Sequence, residues 1–158
     1  MFTCRRSGDV DVELINAINE WAAAIGMRLV EADETGGFTL LFDGAHEVSF
    51  APDGDGTVFH AEVGDADRLD REGALSLLEA SLLGAGTGGA AFGVHRELGA
   101  VVLWKRFGEF SSLADLETAI GEFLGQVVVW KGRLSVGGPS APAPPSGLSP
   151  LGGSFLQV

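Results

Sequence analysis

The chain has 158 residues, the length of one domain, since single hydrophobic cores are usually built from about 100 to 150 residues. Apolar residues make up 46% and charged residues 20%, enough apolar content to offset chain entropy, which excludes a wholly disordered chain. The net charge of −12 disfavours nucleic acid, because binding a polyanion needs Lys and Arg to displace counterions from phosphates; basic or amphipathic partners stay open beside a plain solubilising role.

Asp9 or Asp11 is the expected N-cap of a first helix, in which Val12, Ile15, Ile18, Ala22 and Ile25 recur at spacings of three and four before Gly26 stops it. Phe38 to Asp43 and His46 to Ala51, separated by Asp43-Gly44, predict a β-hairpin. Pro52 to Gly56 is a second turn and Thr57 to Val63 a third strand, completing an antiparallel meander. A second helix is expected over Arg71 to Leu83, with Leu75, Leu78 and Leu82 on one face and Leu77 and Leu83 widening it. After the glycine-rich Gly84 to Gly89, Ala90 to His95 and Gly99 to Lys105 predict two more strands around a short turn at Arg96-Glu97-Leu98. Ser111 or Ser112 caps a last helix carrying Leu113, Leu116, Ile120, Phe123, Leu124, Val127 and Trp130.

The order helix-β-β-β-helix-β-β-helix belongs to the α+β class, an antiparallel sheet covered by helices, and is assigned to residues 1–134. From Ser135 on the composition changes: no charged residue follows, and five of the six prolines lie there among Gly, Ser and Ala. Residues 135–158 are therefore expected to form a linker-like, disordered tail. Its last residues, Ser154-Phe-Leu-Gln-Val158, are apolar enough to dock, although a passive end is the simpler reading.

Cys4 is the only cysteine, so no internal disulfide forms and a reducing compartment is expected. Arg5 and Arg6 are followed by no apolar run, which fits neither a cleavable signal nor a twin-arginine signal. The longest apolar stretch, Leu98 to Trp104, is far shorter than the roughly 20 residues of a membrane helix. A cytoplasmic location without membrane insertion is the expectation.

Motifs that carry chemistry are weak. Gly84-Ala-Gly86-Thr-Gly-Gly89 spells GxGxxG, but a helix precedes it and a strand follows, the reverse of a nucleotide loop, and no Lys-Ser or Lys-Thr pair completes a Walker loop. Asp53-Gly-Asp55-Gly56 starts like a calcium loop, yet its sixth position is Val58 and its twelfth Gly64, so a hairpin turn explains it better. His46, His60 and His95 stand singly on three predicted strands, without metal-ligand spacing. No serine sits in a GxSxG elbow, and the pairs Asp65 with Asp67 and Glu117 with Glu122 match solvated faces. The chain has no Tyr, and its aromatic residues do not interleave with basic ones as on a single-stranded nucleic-acid platform. No catalytic residue, metal or cofactor is assigned, and an enzyme is not expected.

Several patterns resemble the class I type III secretion chaperones, the CesT-like or Tir chaperone family of small acidic bacterial dimers. They are Leu75-x-x-Leu78, Leu82-Leu83, Ala91-Phe-Gly-Val-His95, Leu98-Gly-Ala-Val-Val-Leu103, and a last helix ending Phe123-Leu124 with Trp130. Ile18 to Leu29 and the Phe38 to Phe50 hairpin agree more loosely, so the resemblance covers about residues 12–134. Ser81, where the family's second helix often has Asn, and the glycine-rich loop depart from it. The resemblance implies a homodimer formed through the second helix and the strand after it. It also implies capture of an extended N-proximal segment of one or more secreted effectors, kept secretion-competent until a secretion ATPase takes them. The alternative is a binding or regulatory module of the same fold outside secretion, such as a YbjN-like domain.

Helix 2 carries more apolar residues than one sheet face can cover, so Leu77, Ser81, Leu82 and Phe92 are the expected dimer contacts. The first helix and the meander are likewise rich in apolar residues, which nominates Trp21, Leu41, Val48, Phe50 and Val58 for effector binding. For each of these five, a place in the core is an equally good reading.

Overall fold

The computed structural model describes residues 7–25 and 32–135, with side chains from Asn16 onward. Cys4, Gly26, Leu29 and residues 136–158 of the tail expected over 135–158 lie outside the described residues. Helix α1 is Ser7–Ala24; strands β1, β2 and β3 are Phe38–Phe42, His46–Asp53 and Gly56–Asp65; helix α2 is Arg71–Ser81; strands β4 and β5 are Ala91–His95 and Ala100–Phe107; and helix α3 is Leu113–Ser135. This is the predicted element order. Short 3-10 turns at Ala66–Arg68 and Leu82–Gly84 flank α2.

Helix starts and stops follow local chemistry. Asp9 and Asp11 lie within α1 and not at an N-cap. Asp70 caps α2, its carboxylate accepting from the Gly73 N–H at 2.7 Å. Of the two serines proposed for α3, Ser112 takes the cap: its hydroxyl accepts from the Asp115 N–H at 3.1 Å. Helix α2 stops two residues earlier than expected, because Leu82 turns to an extended ψ of 112° and Leu83 follows with a left-handed φ of 54°.

The five strands form one antiparallel sheet in the order β1-β2-β3-β5-β4. The meander and the β4–β5 hairpin are thus joined through β3 and β5, where Ala61 pairs with Leu103 and Phe59 with Lys105. Phe38, Leu40, Val48, Phe50, Phe59, Ala61, Val101 and Leu103 point to one face and are buried. Helix α3 covers that face over β3 and β2, and α1 packs on α3, so that Ile18, Leu77, Phe123, Val127 and Trp130 join a single core. Aromatic rings dominate it. Phe59 lies 4.5 Å from Phe50 and 4.4 Å from Phe107 between ring centroids, and Phe92 meets Trp130 edge-on at 4.8 Å.

The glycine-rich connection after α2 has a packing role. Thr87 is buried and its hydroxyl donates to the Ala90 carbonyl, while Gly89 N–H reaches the Gly84 carbonyl at 3.0 Å. A β-carbon on Gly84 would sit 2.3 Å from the Gly89 Cα, so the loop closes only because Gly84 lacks one. Gly56 is equally constrained: a β-carbon there would stand 2.2 Å from the Phe107 carbonyl oxygen, a backbone atom of the neighbouring strand. Gly56→Ala is expected to lower stability by more than about 1 kcal/mol. In contrast, Gly121→Ala on the open side of α3 meets nothing within 4 Å and should raise stability by about 0.5–1 kcal/mol. Urea midpoints of the two variants should move in opposite directions.

Candidate functional site

The second face of the sheet is where this fold exposes strand residues. Strand pairing sets Thr39, Ser49, His60, Trp104 and Ala91 in a row across all five strands, with Leu41, Glu47, Glu62, Val102 and Gly93 beside it. All of them are exposed or half-buried; Leu41 is 50% exposed and Trp104 42%. A groove of about 930 Å³ runs along one end of this face. Its walls come from β1–β2 (Leu41, Ser49), β3 (His60, Glu62), the β4–β5 hairpin (Leu98, Val102) and the last turn of α3 (Lys131, Leu134, Ser135). The pairing of β3 with β5 shifts at Glu62/Gly64, and Leu134 packs over Gly64, where a β-carbon would come within 2.9 Å of it.

Charge around the groove is mixed. Glu47, Glu62, Asp65, Arg68 and Lys131 all line it, and Lys131 Nζ donates to the Ala45 carbonyl at 3.3 Å. His60 is half-buried, and burial, assisted by the nearby His95, pushes its pKa below the ordinary 6.5. A histidine with a depressed folded-state pKa takes up fewer protons than the unfolded chain. Its stabilising contribution is therefore complete above pH 6.5 and declines as the pH falls below that value. Urea midpoints at pH 7.5 and pH 5.5 should show this loss, and His60→Asn should reduce it.

The second exposed surface is on α2. Gly73, Leu77 and Ala80 face inward, leaving Leu75, Leu78 and Leu82 outward at helical spacing. Leu78 and Leu82 are each 68% exposed, and Leu83, in its left-handed conformation, is 97% exposed. Val94 on β4, the strand that α2 contacts, is also exposed.

The nine residues nominated from sequence fall into different places. Trp21, Val48 and Phe50 are core residues: Trp21 packs on Phe42 at 6.0 Å and Phe50 is stacked on Phe38 at 4.8 Å, so their side chains are not presented to a partner. Leu41 and Val58 lie on the open face, at 50% exposure and half-buried. Leu77 is buried beneath α2 and Phe92 packs on Trp130, while Ser81 accepts from the Phe92 N–H at 3.2 Å and so ties α2 to β4. Leu82 is on the exposed stripe. Reading by apolar count missed Trp104, Val102, Leu78 and Leu83; the spacing of Leu75, Leu78 and Leu82 was the available signal for the stripe.

The acidic motifs serve the fold. Asp53 and Asp55 each contact Arg106 at 2.7 Å, closing the β2–β3 turn, and Arg106 holds the Asp55 carboxyl below its ordinary range. Asp65 accepts from the Asp67 N–H at 2.9 Å as the cap of a 3-10 turn. Among the described residues no group of three His, Cys, Asp or Glu is placed to hold a metal, and no helix is long and apolar enough to cross a membrane.

Three solved structures are similar in fold. A chain of the ExsC-ExsE complex superposes with a TM-score of 0.69 at 21% identity, covering 84% of this chain and 98% of its own. A chain of the HopA1-SchA chaperone-effector complex gives 0.62 at 14% identity, covering 77% and 95%. One from the ExoU-SpcU complex of the type III secretion system of Pseudomonas aeruginosa gives 0.57 at 20% identity, covering 74% and 93%. A search of curated protein sequences returns no match. The profile of the Tir chaperone protein (CesT) family matches residues 16–131, which contain the whole sheet, α2 and most of α3, and the chain belongs to that family.

Proposed function

We propose that the protein is a type III secretion chaperone that binds an extended N-proximal segment of one or more effectors in the bacterial cytoplasm and keeps it secretion-competent. Family membership is the observation that carries this reading. The open sheet face supports it. Leu41, Val58, Val102 and Trp104 offer separated apolar positions for alternate side chains of an unfolded segment, and the outer edges of β1 and β4 offer unpaired backbone groups. Ordering a disordered partner costs free energy, so a large contact area is required, and a homodimer doubles it. The α2 stripe with Val94 is the surface we assign to that dimer, an isologous contact in which each protomer covers the other's leucines. No chemistry is needed for this role, and a secretion ATPase is the expected downstream partner.

Leu41→Asp and Val58→Asp are expected to lose effector capture in co-purification while keeping the circular dichroism and mass of the parent. If capture is unaffected, the open face is not the effector site. A module of the same fold outside secretion would carry no secreted protein with it.

A further inference from the structure

Trp104 is an exposed aromatic ring on the open face, next to acidic groups. Strand pairing sets it directly opposite His60 and diagonal to Glu62, whose own partner is Val102. Diagonal neighbours on one face of a sheet lie within reach of long side chains. The indole rests against Gly93 of β4, where a β-carbon would stand 3.9 Å from its Cδ1 and Nε1, and the residue is 42% exposed. We propose that Trp104 and Glu62 form a subsite for an arginine of the partner's extended segment, the guanidinium stacking on the indole while it pairs with the carboxylate. This deepens the proposed function and rests on it for the extended partner.

Charge selects a cation here. The chain carries a net −12, and Glu47, Glu62 and Asp65 line the groove that borders Trp104. Its nearby cations are engaged or distant: Lys131 donates to the Ala45 carbonyl, Arg106 clasps Asp53 and Asp55, and Arg68 follows the far end of β3, past Asp65, which pairs with Ala100. Among the described residues Glu62 makes no ion pair and no cation lies over Trp104, so both stay open to a partner. His60, its pKa pushed below 6.5 by burial, is uncharged at neutral pH and does not repel a cation beside it. Arginine suits the pair better than lysine, because a planar guanidinium stacks on a ring and still presents N–H groups to a carboxylate. The chain uses the same stacking internally, where the Arg133 guanidinium lies 4.7 Å from the Trp130 ring centroid. Val102 is two residues from Trp104 on β5, and alternate residues of an extended segment are about 7 Å apart, so an apolar residue two positions from the arginine meets Val102.

The test selects random short peptides displayed on phage against the full chain and against its Glu62→Gln and Trp104→Leu variants, each checked for unchanged circular dichroism. The parent should select an arginine two positions from an apolar residue, and that preference should fall in both variants while apolar residues are still selected. For the best peptide, replacing the arginine by citrulline, which keeps its shape and loses its charge, should weaken binding to the parent about tenfold and to either variant about threefold, since each variant retains one of the two contacts. If Trp104→Leu unfolds the chain, the isosteric Glu62→Gln decides alone. An arginine preference undiminished in a folded variant, an acidic residue in its place, or no selectable binder would overturn the inference. So would conversion of a dimer to a monomer by Trp104→Leu, because the face would then belong to a second copy. Selection of apolar residues alone would remove the arginine subsite and leave the open face as a peptide site. Arginine-dependent binding by a chain whose deletion changes no secreted protein would instead remove the chaperone reading and leave the subsite.

Discussion

Phe59→Ala is expected to lower stability by about 3–5 kcal/mol, a large share of the roughly 5–15 kcal/mol that holds a domain of this size together. Phe59 is fully buried at the centre of the sheet, and its ring meets Phe50, Phe107, Phe110 and Phe123, so alanine leaves a cavity bounded by four aromatic rings drawn from two strands, α3 and the segment before it. These neighbours hang on rigid backbone and cannot collapse into the gap. Leu41→Asp, two strand pairings away on the opposite face, should move the urea midpoint by little, since surface changes usually stay within about 0.5 kcal/mol. The contrast between the two variants separates the face that holds the fold from the face left for a partner.

The second large effect is expected at α2. Leu78 and Leu82 are both 68% exposed, and burying a leucine contributes about 1.5–3 kcal/mol. In a two-fold contact every substitution acts twice. Leu78→Asp with Leu82→Asp should therefore raise the dimer dissociation constant by at least about a hundredfold, turning a species of twice 16.4 kDa into a monomer at micromolar concentration by light scattering. The variant should keep its circular dichroism, because Leu77 and Ala80, which carry the inward face of α2, are untouched. A parent chain that is already monomeric would remove the dimer from the account.

Much of this was written in local patterns. Aromatic and β-branched runs bounded by turns located the strands, the Asp43-Gly44 pair located the first hairpin, leucine spacing located α2, and a serine cap located the start of α3. Sheet order was not legible, since the pairing of β3 with β5 joins residues some forty positions apart and leaves no short-range mark. Counting apolar residues also failed to separate the two faces. Hairpin register places Leu40 opposite Val48 and Leu41 opposite Glu47, so Leu41 points away from Val48 and Phe50, and the five nominated residues divide between the core and the open face. In α2 the opposite error arose: Leu77 was grouped with Leu82 although they lie on different sides of the helix, while Leu75 and Leu78 share the side of Leu82.

The histidine pair and the groove place a pH-sensitive group within the surface assigned to partner binding. Protonating His60 adds positive charge to a half-buried site, so low pH should loosen the same face that an effector would cover.

The most direct test of the central claim is to delete the chain in the bacterium that encodes it and compare the proteins released by type III secretion. The account predicts that one or a few effectors disappear from the secreted set, that they return with the parent chain, and that they do not return with Leu41→Asp at equal expression. An unchanged secreted set in the deletion strain would contradict it.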